Sequence, residues 1–492
     1  MRTAVGRPRQ YGRMVAVAYF LAGALAAAMI AGAPMIPFSG STFGIEAAVA
    51  LALAPVAIAL AIERPLIFPY ALWAALVPFD NLLVLPGIGK IAKPLGAAAA
   101  LAAIISMLVR RRGLIPSAAV GGWLLLTAFA IASLWWTEDT ALGTLMLQML
   151  GGLLAVGAII AMVPADETDL IALFCGVVGG GTAASIFAIM VHSATGQWIY
   201  INSIDHNHFG AALILPALAA TAAAISLREP VRVTLCALAA VICVAGIGIT
   251  ESRGALISFG FGVAYLIVRS PHRKQLIGAV LAGVAMLALI PGVFARFNDP
   301  TTSDASGRYQ IWHIGFAAFK HRWLAGHGFG SFLAAYQASF LEYSQSVATA
   351  QRIQQSHNIL VQFGVELGLV GLALLLLAWW WQFRTLRRIG LHEGGWTDAR
   401  FAIEANTIAL FVAAMSLDFV TFKYTWLSMS AAWIVHAAYR SRTVRAAEAR
   451  LDEPAPHPYA LGFSRFSLRN RRRGFASTAT NSRPLYPGAR IP

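Results

Sequence analysis

Apolar and polar positions along the chain form one recurring pattern: long uninterrupted apolar runs separated by short polar turns. A helix needs about 20 consecutive apolar residues to cross a bilayer. Runs of that kind lie at approximately 14–32, 43–62, 65–79, 91–109, 118–136, 142–163, 170–192, 208–227, 231–249, 254–268, 275–294, 359–382, 401–419 and 424–439. Outer-membrane barrels alternate apolar and polar residues, so continuous runs argue for helices. The pattern predicts an all-α polytopic membrane protein of about 12–14 transmembrane helices. The run at 65–79 is short and carries Pro65, Pro69 and Pro78, so it is expected to kink or re-enter. The run at 14–32 follows Arg2, Arg7, Arg9 and Arg13, and Ala31-Gly32-Ala33 mimics a cleavage site. Its length and the following Pro34 favour a retained first helix.

One long segment breaks the pattern. Residues 296–358, within a loop spanning about 295–358, hold Arg296, Arg308, Lys320, Arg322 and Arg352 with His313, His321, His327 and His357. Short amphipathic helices are expected inside this loop. Beyond Tyr439 the apolar pattern ends. The chain therefore divides into a polytopic domain at 1–440 and a basic, disordered cytoplasmic tail at 441–492.

Composition strengthens the membrane reading. The chain is 58% hydrophobic and 12% charged, with a mean hydropathy of +0.67. Its net charge of +15 would suggest nucleic acid in a soluble protein. Here the cations sit between apolar runs and in the tail, which points to topology and membrane lipids, with no nucleic acid. With the N-terminus inside, inner connections carry Arg64, Arg110, Arg111, Arg112, Arg228, Arg232, Arg269, Arg273, Lys274, Arg384, Arg387, Arg388 and Arg400. Short outer ones carry only Lys90, Lys93, Arg253 and Lys423. That asymmetry puts both termini in the cytoplasm and the long loop outside. Cys175, Cys236 and Cys243 all lie within apolar runs and read as buried small residues.

Candidate chemistry gathers on the outer connections. In TESRGALISF, Arg253 opens a helix that Thr250 or Ser252 can cap. A cation there opposes the helix dipole. It either snorkels to the interface or binds a phosphate, which the guanidinium fork suits. GRYQIWHIGFAAF predicts an amphipathic helix with Ile311, Gly315, Ala318 and Phe319 on one face. Arg308 in its first turn is a second phosphate candidate, and Trp312 reads as an interfacial anchor. GHGFGSF is a glycine-rich turn before a helix at Ser331–Tyr343; it forms either a tight turn or an anion-binding N-terminus. In SHNILVQFGVELG, His357 and Asn358 stand where the loop re-enters the membrane. His357 can accept a proton or hold an anion. Glu366, deeper in that span, calls for a partner. DHNHFGAALILP packs Asp205, His206, Asn207 and His208 together. Capping explains Asp205 or Asn207, and adjacency argues against a metal site.

The ordered set SIDHNHFGAALILP, TESRGALISF, GRYQIWHIGF…GHGFG and SHNILVQFGVELGLVG resembles the O-antigen ligase family, whose superfamily includes O-antigen and exopolysaccharide polymerases. The resemblance covers about 200–380, with weaker support from SLDFVTFKYTW (416–426). It implies a GT-C-like enzyme of the bacterial inner membrane with a core at about 200–440. Such an enzyme moves a glycan from undecaprenyl pyrophosphate to an acceptor, lipid A-core or another glycan, on the periplasmic side. It implies a metal-independent, inverting reaction without cofactor. It places Arg253 and Arg308 on the pyrophosphate and His357 at the reaction centre, with Asn358, Asn207 and His208 as further substrate contacts. A repeat-unit polymerase is the alternative. A lipid-linked sugar flippase is the rival of another class, and it would pair ionisable residues near mid-membrane; Glu46, Glu366, Glu404 and Asp418 are the few candidates. The span count exceeds the roughly twelve expected of such ligases.

Overall fold

The computed structural model describes residues 57–80, 82–85, 89–195, 205–288, 308–344, 355–389 and 394–451. The expected first span, most of the second, Glu46 and nearly all of the tail lie outside these residues.

The described chain is helical almost throughout. Helices α1 (Ala57–Glu63) and α2 (Leu66–Phe79) form a pair bent by 105°. This is the proline-bearing run, and Pro69 within it interrupts the helical hydrogen-bonding pattern. A two-residue ladder, β1 (Val84–Leu85) with β2 (Gly89–Lys90), pairs Val84 with Lys90 and Leu85 with Gly89. The apolar pattern gave no sign of these strands, because two residues are too few to show alternation. Then follow α3 (Ala92–Arg110), α4 (Ala118–Ser133), α5 (Thr140–Ala161) and α6 (Glu167–Thr195), and next α7 (His206–Ala212), α8 (Ile214–Ser226), α9 (Pro230–Ile249), α10 (Arg253–Arg269) and α11 (Arg273–Ala288). The long loop contributes α12 (Arg308–His321) and α13 (Phe332–Ser344), and α14 (Ile359–Arg387), α15 (Gly394–Ala413) and α16 (Lys423–Leu451) close the series.

Among the described residues six helical segments are long and apolar enough to cross a bilayer, or seven with the bent α1–α2 pair. The other expected spans from 118 onward also fold as helices, at or near the expected boundaries, but are shorter or more polar. Two helices differ more: α15 (Gly394–Ala413) begins and ends earlier than the expected 401–419, and α16 continues through Leu451, past the expected end at Tyr439. Residues 440–451 lack Gly and Pro, so nothing local stops the helix where hydrophobicity ends.

Packing is tight around α14, which lies along α4. Trp123 of α4 meets Trp426 of α16 and Trp379 of α14 edge-on, at ring-centre distances of 5.3 and 6.1 Å. Trp433 donates from Nε1 to Gln382 Oε1 at 2.6 Å. These rings lock α4, α14 and α16 together. A second pairing sets α10 against α15. Here Glu404 accepts from Arg400 at 2.8 Å and from the Tyr265 hydroxyl at 2.5 Å, so this fully buried carboxylate is neutralised close by. The long-loop helix α12 buries Ile311, Ile314, Gly315 and Ala318. They pack on Phe332, Ala335 and Tyr336 of α13 and on Val365 of α14. The expected apolar stripe is thus present, with Phe319 at its half-buried edge.

Candidate functional site

The starts of α7, α10, α12 and α14 meet at one end of the bundle, together with the α15–α16 connection. Each start has its own local cause. Asp205 caps α7, accepting from Asn207 N at 2.7 Å. Ser252 caps α10, accepting from Ala255 N at 3.2 Å, while Thr250 instead donates to Ile247 O at 2.6 Å. Asn358 caps α14, its Oδ1 accepting from Leu360 N at 2.9 Å and Val361 N at 3.2 Å. The starts are joined sideways. Ser252 Oγ donates to Asn207 Oδ1 at 2.8 Å, and Ile359 N donates to Ala414 O at 2.8 Å. Gly254 lets α10 approach the α15–α16 connection: a Cβ there would stand 2.5 Å from Ser416 Oγ.

Into this junction come the two arginines. Arg253 is the first residue of α10 and Arg308 the first of α12. Burial lowers the Arg308 guanidinium below its ordinary value, the neighbouring charge of Arg253 lowers it further, and Asp205 and Asp418 oppose the shift. Two guanidiniums therefore share a half-buried space at helix N-termini. Each local dipole already disfavours a cation there, and the two repel each other. An anion placed between them relieves both effects.

His357 faces Asp418, with Nδ1 4.0 Å from Oδ2. The segment carrying it is pinned on both sides. Ser356 Oγ donates to Asp418 Oδ1 at 3.5 Å, Trp312 Nε1 donates to Ser356 O at 3.1 Å, and Asn358 is the α14 cap. Trp312, expected as an interfacial anchor, thus ties α12 to the histidine segment. Between these anchors His357 sits at φ +44°, a left-handed backbone uncommon outside glycine. Burial raises the Asp418 carboxyl; the His357 ring, the Ser356 hydroxyl and the His357 backbone N–H pull it back only in part. Burial would likewise raise Asp205, but His208, the Asn207 amide and His206 hold it below the usual carboxylate range.

The six expected site residues therefore converge, though with different parts. Arg253, Arg308 and His357 bring charge and proton chemistry to the junction. Asn207, Asn358 and His208 brace it. Asn207 is engaged by Ser252 and Asp205, and the Asn358 oxygen is used as a cap. His208 Nδ1 lies 3.0 Å from the Tyr424 hydroxyl, and its ring stacks on Phe422 at 3.6 Å. Asp418 and Ser356 join the site without having been singled out as members of it. The signals for Asp418 were its place in SLDFVTFKYTW and its being one of the few ionisable residues at the apolar spans. Among the described residues no three His, Cys, Asp or Glu side chains converge as metal ligands would.

The glycine-rich turn is structural. Gly326, Gly328 and Gly330 all have positive φ, as does Gly368 inside α14. The turn docks on the break at Gly368: His327 N donates to Val365 O at 2.9 Å, Gly328 N to Glu366 O at 2.7 Å, and Leu369 N to Trp323 O at 2.8 Å. Glu366 lies buried beside the α13 start, facing Gly330 and Phe332. Gln362 Nε2 donates to its Oε1 at 3.3 Å, the partner Glu366 required, while its Oε2 has no hydrogen-bond partner among the described residues. His327 is buried between Glu138 Oε1, at 2.8 Å, and Ala318 O, at 2.9 Å. Beyond it an open cavity of about 330 Å³ is lined by Trp136, Arg322, Trp323 and their neighbours, away from His357.

Residues 238–376 match the family described as O-antigen ligase. The match covers less than a third of the chain and supports a likeness to the O-antigen ligase superfamily. The matched region contains Arg253, Arg308, His357 and Asn358. Asn207, His208 and Asp418 come from outside it and are brought in by the fold. No curated protein matches the chain. The family match and the apolar helices together support a multi-pass membrane protein with an O-antigen ligase-like function in general.

Proposed function

We propose that this protein transfers a glycan from undecaprenyl pyrophosphate to an acceptor sugar, with its site on the periplasmic side of the inner membrane. The observation that carries the reading is the convergence of Arg253 and Arg308, at two helix starts, beside the His357–Asp418 pair. A lipid-linked pyrophosphate presents its charge just outside the bilayer. Two fork-shaped cations are suited to its oxygens. The basic inner connections support the same orientation.

In the reaction the acceptor hydroxyl attacks the anomeric carbon. A glycosidic bond forms as the bond from that carbon to the pyrophosphate oxygen breaks, with inversion. Negative charge develops on the leaving pyrophosphate, where Arg253 and Arg308 stabilise it more in the transition state than before it. His357 takes the hydroxyl proton, and Asp418 stabilises the imidazolium that results. Sugar hydroxyls are weak acids, so holding the two substrates in line contributes at least as much. Neutralisation by arginine makes the reaction independent of a metal. Lipid A-core or a second glycan serves as acceptor.

Deleting the gene and profiling cellular glycans tests the assignment. Loss of capped lipopolysaccharide with intact lipid-linked chains identifies a ligase. Single repeats alone identify a polymerase. Complementation with Arg253→Ala, Arg308→Ala or His357→Ala is expected to fail although the protein inserts; normal polysaccharide from all three would refute the site. The flippase alternative finds less support. Glu404 is engaged by Arg400 and Tyr265, and Glu366 is held by Gln362 with no cation among its hydrogen-bond partners, so the two do not form the ionisable pairing such a route would use.

A further inference from the structure

Helix α12 has a second face that its packing does not explain. Tyr309, His313, Phe316 and Lys320 recur at i, i+4, i+7 and i+11, which is one side of a helix, and all four are exposed. Tyr309 is 54% and Phe316 56% exposed. Trp323, 54% exposed, follows in the turn after the helix. The row starts next to Arg308 and ends at the cavity shared by Trp323 and Trp136. From Tyr309 to Lys320 it is about 16 Å long at ~1.5 Å rise per residue, the length of several sugar rings.

The composition of this face differs from that of the lipid-facing helices. The exposed large residues of α3, α4 and α6 are overwhelmingly aliphatic, Leu101, Leu108, Leu124 and Ile171 among them. The exposed large residues of α12 are aromatic only, and cations stand between them; Lys320 lies over the Phe316 ring, 4.9 Å from its centre. Flat aromatic faces suit the C–H faces of pyranose rings, while Lys320, His313 and Arg322 suit their hydroxyl and acidic substituents. Aromatic and cationic side chains also mark membrane interfaces; what sets this face apart is its course from Arg308 to the Trp136–Trp323 cavity, with the aliphatic face of α12 already buried against α13 and α14.

We propose that this exposed row is a glycan-binding track that holds the sugar chain leading away from the reaction centre, with the Trp136–Trp323 cavity as its far subsite. The inference rests on the glycan-transfer reading and adds to it a preference for extended glycans. Contacts remote from the reacting bond raise the rate for substrates long enough to reach them.

The test compares undecaprenyl-pyrophosphate donors carrying one repeat or a long chain, extracted from a ligation-deficient strain and offered to the full-length protein in nanodiscs. The variant Tyr309→Ser/Phe316→Ser/Trp323→Ser is expected to lose about tenfold in kcat/KM with the long donor and to stay within about twofold with the single repeat. Equal effects on both donors, including none, overturn the track. Wild type and Arg308→Ala are run beside it: no transfer of either donor by wild type sinks the glycan-transfer reading, whereas wild-type transfer with a loss of at least about tenfold in Arg308→Ala on both donors leaves any failure with the track alone. Phe316→Cys, combined with Cys175→Ser, gives a readout independent of turnover. Labelling by a membrane-impermeant maleimide, with protection by the long donor, supports the track. Labelling only by a lipid-soluble maleimide places the face in the bilayer and overturns it.

Discussion

The left-handed backbone at His357 separates stability from activity in a way that can be measured. Its φ of +44° costs a non-glycine residue about 1–2 kcal/mol. His357→Ala removes the imidazole and its 4.0 Å contact with Asp418 but keeps the strain. His357→Gly removes the same contact and releases the strain. Glycine's extra freedom in the unfolded chain returns about 0.4–1 kcal/mol of that gain. The glycine variant should therefore be more stable than the alanine variant by roughly 0.5–1 kcal/mol. Both should be inactive in transfer. Thermal unfolding of the two proteins in the same detergent, read by fluorescence, gives the order of midpoints, and a transfer assay gives the activities. An alanine variant at least as stable as the glycine variant would refute the strained backbone. Transfer surviving in both would refute the role given to the side chain.

Asp418→Asn should abolish or sharply reduce transfer while leaving the melting midpoint at neutral pH equal or higher. Burial raises this carboxyl in the folded protein, so above the ordinary value of 3.8 the folded state binds more protons than the unfolded one. The resulting penalty grows as pH rises through the raised value and is absent below the ordinary one; a lower midpoint for the variant at pH 7 would contradict this. Glu366→Leu should lower stability by about 1–3 kcal/mol, because it leaves the buried Gln362 amide without its acceptor, while Glu366→Gln keeps an oxygen there and should lose less; urea midpoints of the two variants decide it. Gly326→Ala adds a Cβ against the Glu366 backbone at φ +71° and should cost about 1–3 kcal/mol, visible as a reduced yield of monodisperse protein.

The sequence made the fold legible wherever a segment was long and apolar, because bilayer thickness fixes span length. The stripe of Ile311, Gly315 and Ala318 was legible for a related reason: helical period and burial agree. Arg253, Arg308 and His357 stood out because charge at a helix start is locally unfavourable and so needs a non-local cause. What the sequence concealed depends on long-range geometry. Asp418 lies 62 residues after Ser356, and only the packing of the α15–α16 connection on the start of α14 brings them together. Asn207, His208 and Asn358 were legible as polar residues at the outer ends of helices, but the bonds that hold them, to Ser252, Tyr424 and the α14 start, run across the fold or depend on the exact cap geometry. The glycine turn was legible as a tight turn, while its docking on the break at Gly368 was not.

The central claim is that two arginines and a histidine act on a lipid-linked pyrophosphate. The most direct measurement is glycan transfer in vitro, using purified protein, undecaprenyl-pyrophosphate-linked glycan and acceptor, with wild type beside Arg253→Ala, Arg308→Ala and His357→Ala. Each lost charge-assisted contact should reduce kcat/KM by about 10- to 150-fold, from ~1.5–3 kcal/mol. Transfer by all three variants at the wild-type rate would contradict the account.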